Sequence, residues 1–325
     1  MKLPSKPFQR VVVTAEGGSG LVSLAAFAAR FASREAPMRL VELIADPGTL
    51  FPALKLGLPE RADTHAAMRR RAELNLRVAA SALAAARREP DLQLLDLAAL
   101  HTRAPSALAR AAESFRADLV ALAAHHPGQH WACRLDPEEI ACATHRTLLY
   151  VPTQLLALDD PPLARALIAV DGSAGAYAAL ELAIGCLPEE VELKVIYVVD
   201  RAMPVREPRL RHLLDADCAA ALERAEALIG AASARVSLAA IATHEQLDDV
   251  ASAMLREARG WGADLLVIGL RGRRCRAQAT LPGSVASHVL RDALCPVLVA
   301  VPSKSLTDKA VATAPSVRAT VSGTS

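Results

Sequence analysis

Apolar residues in this chain fall into short runs rich in Val, Ile and Leu, each followed by a turn and then by a longer Ala- and Leu-rich segment. Residues 10–15 (RVVVTA) end in Glu16-Gly17-Gly18-Ser19-Gly20 and lead into LVSLAAFAARFA, an order that predicts strand, glycine turn and helix. Residues 165–170 (RALIAV) end in Asp171-Gly172-Ser173 and lead into a helix with Tyr177, Leu180, Ile184 and Leu187 on one face. The offset is 155 residues, which sets Glu16 over Asp171 and Gly17 over Gly172. An internal duplication is the simplest account.

Each half continues in parallel. Second strands are predicted over 39–46 and 192–200, helices over 62–88 and 208–230, and third strands over 92–100 and 234–242. In the helix over 208–230, Leu214, Cys218, Ala221, Leu222, Ala225, Leu228 and Ile229 recur at helical spacing. Helices follow over 105–116 and 246–260, the second with Thr243 and Gln246 spaced as a capping box and Leu247, Val250, Met254 and Leu255 facing inward. Fourth strands are DLVALAA and DLLVIGL, and fifth strands TLLYVP and PVLVAVP. Such alternation requires parallel sheets covered by helices on both faces, and ligands in such folds sit beyond the carboxyl ends of the strands where strand order reverses.

Composition narrows the class. A chain of 325 residues exceeds one usual domain, and the Asp-Asp-Pro-Pro within LLALDDPPLAR marks a linker. The expected division is residues 1–155, a linker over 156–162, residues 163–302 and a disordered Ser/Thr/Ala/Val-rich tail over 303–325. With 52% hydrophobic but only 3% aromatic residues, the cores must be built from Ala, Leu and Val. Basic and acidic side chains number 19 and 17 through residue 160 and 18 and 18 beyond, so neither half carries the field of a general nucleic-acid binder. Six scattered cysteines without a CxxC pair fit a reducing compartment. The sequence contains neither an apolar leader segment nor a run of about 18 apolar residues, and the expectation is a cytoplasmic protein without membrane contact.

The chemistry concentrates in residues 263–290, ADLLVIGLRGRRCRAQATLPGSVASHVL. A buried strand runs into Gly269 and Gly272, then a ten-residue basic loop, then Gly283-Ser284 opening an amphipathic helix. Glycines let backbone amides approach an anion, and the first turn of a helix offers unpaired N–H groups and a positive dipole end. Arg271 and Arg273 add guanidinium groups able to grip phosphate in bidentate fashion. Two weaker constellations accompany this one. His125, His126, His130 and Cys133 could ligate a metal but lack finger spacing. Gly18, Gly20 and Ser23, with Asp46 further on, form an incomplete dinucleotide fingerprint. No G-x-S-x-G elbow, Walker A loop or HExxH helix occurs, and no catalytic residues are assigned.

VDGS at the first strand of the second half, IYVVD at its second, ADLLVIGLRG at its fourth and GSVASHVLRDALCPVLVAVP at its end resemble the universal stress protein family. Residues 8–152 resemble it more weakly, through ADLVALAAHH and TLLYVP, and the whole is similar to a tandem universal stress protein. The resemblance implies an α/β fold of two tandem five-stranded parallel-sheet, Rossmann-like domains with helices on both faces. It implies ATP or AMP, with or without Mg2+, in the second domain as a regulatory ligand. Asp171 would then face the adenine or ribose edge with Ala169 and Val170 beside the base, and Val198 and Ile268 would line the apolar wall. Gly269, Gly272, Gly283, Ser284 and Val285 would surround ribose and phosphates. The family pattern has nine residues before the Gly-Ser pair and this chain has ten, with Pro282 removing one N–H. That favours the alternative of an interaction module without nucleotide; a slow adenine-nucleotide hydrolase is a third reading. In the first half Ala123 and His126 replace the paired glycines, and Asp136, Glu138 and Glu139 occupy the loop, so residues 1–155 are expected to be a degenerate domain serving structure or contact with a protein partner. The resemblance also implies pairing of the last strands across domains or subunits: TLLYVP and PVLVAVP are expected to pair antiparallel within the chain, satisfying two sheet edges, with homodimerisation through them as the alternative.

Overall fold

The computed structural model describes residues 8–15, 20–50, 57–124, 135–157, 162–201, 208–230, 235–244, 248–273 and 282–301. The first half supplies β1 (Val11–Ala15), α1 (Leu21–Ala29), β2 (Met38–Ile44), α2 (Pro47–Leu50), α3 (Leu58–Ala85), β3 (Asp91–Asp96), α4 (Ala104–Phe115), β4 (Leu119–Ala124), α5 (Pro137–Thr144) and β5 (Thr147–Pro152). A 3-10 turn over Thr153–Ala157 follows. The second half supplies β6 (Arg165–Ala169), α6 (Ala174–Cys186), β7 (Glu192–Val199), α7 (Pro208–Ile229), β8 (Val236–Ala242), α8 (Val250–Trp261), β9 (Leu265–Gly269), α9 (Ser284–Asp292) and β10 (Val297–Ala300).

The strands join in one ten-stranded sheet of order β3-β2-β1-β4-β5-β10-β9-β6-β7-β8. Every pairing is parallel except that of β5 with β10, which sets Val297 against Tyr150, Leu298 against Leu149 and Val299 against Leu148. Both halves keep one register. Val11 pairs with Met38 and Leu119 as Ala166 pairs with Leu193 and Leu265, which maintains the 155-residue offset through the first strands. Val120 pairs with Leu148 as Leu266 pairs with Val297. Leu148 and Val297 therefore occupy matching places, and the β5–β10 junction is a local two-fold about Leu149 and Leu298.

The reason for this layering is apolar on both faces of the strands. VVVTA of β1 is buried throughout, as expected of a central parallel strand. One face packs Leu24, Phe27, Leu76, Ala79, Leu180 and Ala225 from α1, α3, α6 and α7; the other packs Leu108, Ile140, Met254 and Val289 from α4, α5, α8 and α9. Tyr177, Leu180, Ile184 and Leu187 are all buried, as their spacing required. Two expectations need correction. The third strand of the first half stops at Asp96, because Asp96 Oδ1 accepts the Ala99 amide and turns the chain at 97–100. α8 does not start from a Thr243/Gln246 capping box; Asp249 caps it by accepting the Ser252 amide at 2.8 Å. Thr243 is buried and accepts the Arg201 amide at 2.7 Å, tying together the ends of β7 and β8, and Gln246 lies outside the described residues. The tail over 303–325 also lies outside them.

One buried charge-bearing group is set by this packing. Glu42 on β2 lies beneath α3, where Asn75 Nδ2 donates to its Oε1 at 3.3 Å. Burial pushes its carboxyl up to about 7 from 4.5, against the weaker opposing pulls of that hydrogen bond and the Arg71 charge. A carboxyl whose pKa rises on folding favours the native state below its unfolded value, and that contribution is lost as pH climbs through its folded value. Glu42→Gln removes the titration. The variant is expected to lose the fall in stability that the protein shows between about pH 5 and pH 8, and to be more stable at the upper end by about 1–3 kcal/mol. Urea unfolding at several pH values measures this; an unchanged fall in the variant contradicts it.

Candidate functional site

β9 reaches its end at Gly269 directly under the first turn of α6. A Cβ built there would lie 2.7 Å from the Gly175 carbonyl carbon and 3.0 Å from the Ala176 nitrogen, so only glycine permits this approach. The chain then returns to the strand end, with the Leu270 amide donating to Ala300 O and the Gly283 amide to Leu270 O, both at 3.0 Å. α9 starts at Ser284. Its N-cap is Gly283, with φ −71° and ψ 152°, which has no side chain to cap the first turn. His288, one turn on, sets its two ring nitrogens 2.9 Å from Asp249 Oδ2 and from Asp292 Oδ2, which ties α9 to the cap of α8.

These ends enclose a cavity of about 550 Å³ at the carboxyl edge of the second half, within the range of small-molecule sites. All twelve residues singled out from sequence line it. Ala169, Val170, Val198 and Ile268 form an apolar wall, which Leu214, Val250 and Met254 extend. The lining also includes Asp171, Gly269, Arg271, Gly272 and Arg273, with Gly283, Ser284 and Val285 at the start of α9. A cavity lined by apolar side chains, a glycine loop and a glycine-capped helix start can hold a planar apolar group joined to an anion.

The polar side is more committed than sequence suggested. Asp171 accepts the Ser173 amide at 2.9 Å and the Arg273 amide at 3.0 Å, so it forms an Asx turn and braces the glycine loop. That uses about two of a carboxylate's four acceptor positions. The Arg273 guanidinium lies over Gly172, whose φ of +80° and missing Cβ make room for it, and Nη1 pairs with Asp217 Oδ2 on α7. Tyr197 on β7 donates to the same oxygen at 2.9 Å. The Arg273 hydrogen bond holds the Asp217 carboxyl below its usual range, burial opposing, and Asp217 in turn raises Arg273. Burial first, then Asp217, push the Tyr197 phenol upward. Asp217, Tyr197 and Asp200 also line the cavity and were not singled out as site residues from the sequence, although IYVVD contains the last two. Asp217 falls on the same helix as the apolar positions that signal α7, and nothing local links it to a loop 56 residues away.

The first half differs at the matching positions. The registers place Thr14 where Ala169 stands, Leu43 where Val198 stands, Leu122 where Ile268 stands and Ala123 where Gly269 stands. The helix after β4 is capped by Asp136, whose Oδ1 accepts the amides of Glu138 at 2.8 Å and Glu139 at 3.2 Å, and Glu139 is paired with Arg103. A built-in carboxylate thus sits at this helix start. His125, His126, His130 and Cys133 lie outside the described residues, as do Glu16 to Ser19 of the first glycine turn. Asp46 accepts the Gly48 amide at 2.9 Å. Among the described residues no group of three or more His, Cys, Asp or Glu is arranged to hold a metal, and no helix is long and apolar enough to cross a membrane.

Gly269→Ala is expected to force α6 off the sheet edge and to destabilise the protein by about 1–3 kcal/mol, the usual cost of overpacking a filled site. Thermal or urea unfolding reads it out. Stability equal to the parent would show that the contact is slack.

Residues 163–301 match the model of the Universal stress protein family. No curated protein matches the chain. Among solved structures, a universal stress protein from Archaeoglobus fulgidus DSM 4304 is similar over 91% of this chain and 97% of its own, with 16% identity and a TM-score of 0.59. A candidate universal stress protein from Pseudomonas aeruginosa UCBPP-PA14 is similar over 93% of this chain and 96% of its own, with 14% identity and a TM-score of 0.58. At those identities the likeness is one of fold, and it extends across both halves. The fold is thus α/β with a mostly parallel sheet, and its second half, residues 163–301, carries the sequence pattern of the universal stress protein family.

Proposed function

We propose that the cavity beside β6 and β9 binds an adenine nucleotide, ATP or AMP, as a regulatory ligand. The observation that carries this reading is one cavity lined both by apolar side chains and by the glycine-capped start of α9. Ala169, Val198, Ile268 and Met254 would take the base, and the amides at the start of α9 with Ser284 Oγ would take phosphate. The match of residues 163–301 to the universal stress protein family supports it, since that family's ATP-binding branch carries a glycine and Gly-Ser pattern that this chain repeats with one extra residue in the loop. If Mg2+ enters, it does so with the phosphates. Asp171 and Asp217 are engaged by backbone amides and by Arg273, which favours a bound ligand over hydrolysis. In the same reading the first half, residues 1–155, is a degenerate domain, with Asp136 standing where phosphate would bind. It pairs with the second through β5 and β10, and a protein partner receives the signal in the cytoplasm. A module that binds no nucleotide is the second reading, favoured by the longer loop, by Pro282 and by an Arg273 already paired.

Calorimetric titration with ATP, ADP and AMP, with and without magnesium, tests the choice; heat of binding at micromolar to low millimolar ligand is expected. Silence throughout sinks the proposal. Gly283→Asp sharpens it. Among the described residues a Cβ at Gly283 meets nothing closer than 3.5 Å, and the backbone there suits any residue, so aspartate is expected to fit and to cap α9 as Asp136 caps α5. The variant is expected to gain up to about 1 kcal/mol of stability and to lose nucleotide affinity by at least about tenfold. Unchanged affinity would mean that phosphate does not sit at this helix start.

A further inference from the structure

The Arg273–Asp217 pair crosses the cavity rim from the glycine loop to α7, and both side chains line the cavity. Asp217 is oriented by the Tyr197 hydroxyl, and Arg273 is oriented by its seat over Gly172 and by the hydrogen bond its backbone N–H donates to Asp171 Oδ2. The guanidinium offered to an anion therefore already carries a carboxylate. We infer that Asp217 is an internal counter-anion for Arg273, a latch that a ligand's phosphate displaces, so that it sets the site's preference between phosphorylated and unphosphorylated adenine ligands. This rests on the nucleotide reading of the cavity.

The geometry gives the exchange a direction. The pair is partly open to solvent, with side chains 45% and 34% exposed, a setting in which an ion pair is weak and readily exchanged. A phosphate offers the guanidinium fork two parallel charge-assisted hydrogen bonds, whereas Asp217 engages it through Nη1 at one oxygen that also accepts from Tyr197. Displaced, Asp217 keeps Tyr197 as a donor and stays at the rim. A ligand without phosphate leaves the latch closed. The latch thus lowers affinity for every phosphorylated ligand and leaves adenosine untouched.

Asp217→Asn keeps the shape and the acceptor for Tyr197 but removes the counter-charge. Titrating the full chain with ATP, AMP and adenosine, the variant is expected to bind ATP and AMP about three- to tenfold more tightly and adenosine as the parent does. Removing a negative charge could also raise anion affinity through the general field, so the same substitution is made in an Arg273→Gln background, where a latch predicts no further gain. Equal gains for adenosine, a gain that persists without Arg273, or parent-like ATP binding in Asp217→Asn each overturn the latch while leaving nucleotide binding intact. Absence of binding by parent and variants to all three ligands overturns the nucleotide reading and the latch with it.

Discussion

Everything in this molecule hangs on the disposal of two sheet edges. Each half builds a five-stranded parallel block whose last strand, β5 or β10, would expose a row of backbone donors and acceptors. Pairing them antiparallel about Leu149 and Leu298 satisfies both edges at once and buries TLLYVP and VLVA in the middle of the sheet. The antiparallel junction also has a consequence for function. It turns the two blocks in opposite directions, so the carboxyl ends of their strands, where ligand crevices form in such folds, lie on opposite edges of the sheet.

The two edges have diverged through small changes with large steric and electrostatic effect. In the second half the strand end and the helix start carry glycine, at Gly269 and Gly283, and the absence of side chains leaves amides bordering a cavity. In the first half alanine and aspartate stand there, and the carboxylate of Asp136 takes the helix amides for itself. Among the charged groups that line the second-half cavity, Arg273 is paired with Asp217, and Tyr197 fixes the carboxylate.

Much of this was legible along the chain. Strands and helices followed from runs of Val, Ile and Leu against helical spacing, because the same periodicity that selects a backbone also selects which face is buried. The matching order of elements in the two halves and the glycine loop came from the same pattern, whereas the pairing of the last strands and the other cavity residues came from the resemblance to the universal stress protein family, and Arg271 and Arg273 from the affinity of guanidinium for phosphate. Misjudgements fell where local signals competed. Thr243 has the spacing of a cap, yet its hydroxyl serves the ends of β7 and β8, and Asp249 caps α8 instead.

What the sequence by itself determined is therefore the layered fold, its repeat and the glycine loop that points to an anion. The tertiary structure alone decided that Asp217 meets Arg273, that Tyr197 orients Asp217, that Asp171 braces the loop, and that Glu42 is buried beneath α3 with its carboxyl pushed to about 7. The physical reason is one of range. Burial periodicity is written every two or four residues, whereas a pairing of charges depends on where helices and loops from distant segments come to rest, and an aspartate on a helix reads as a solvated polar position until the fold puts an arginine beside it.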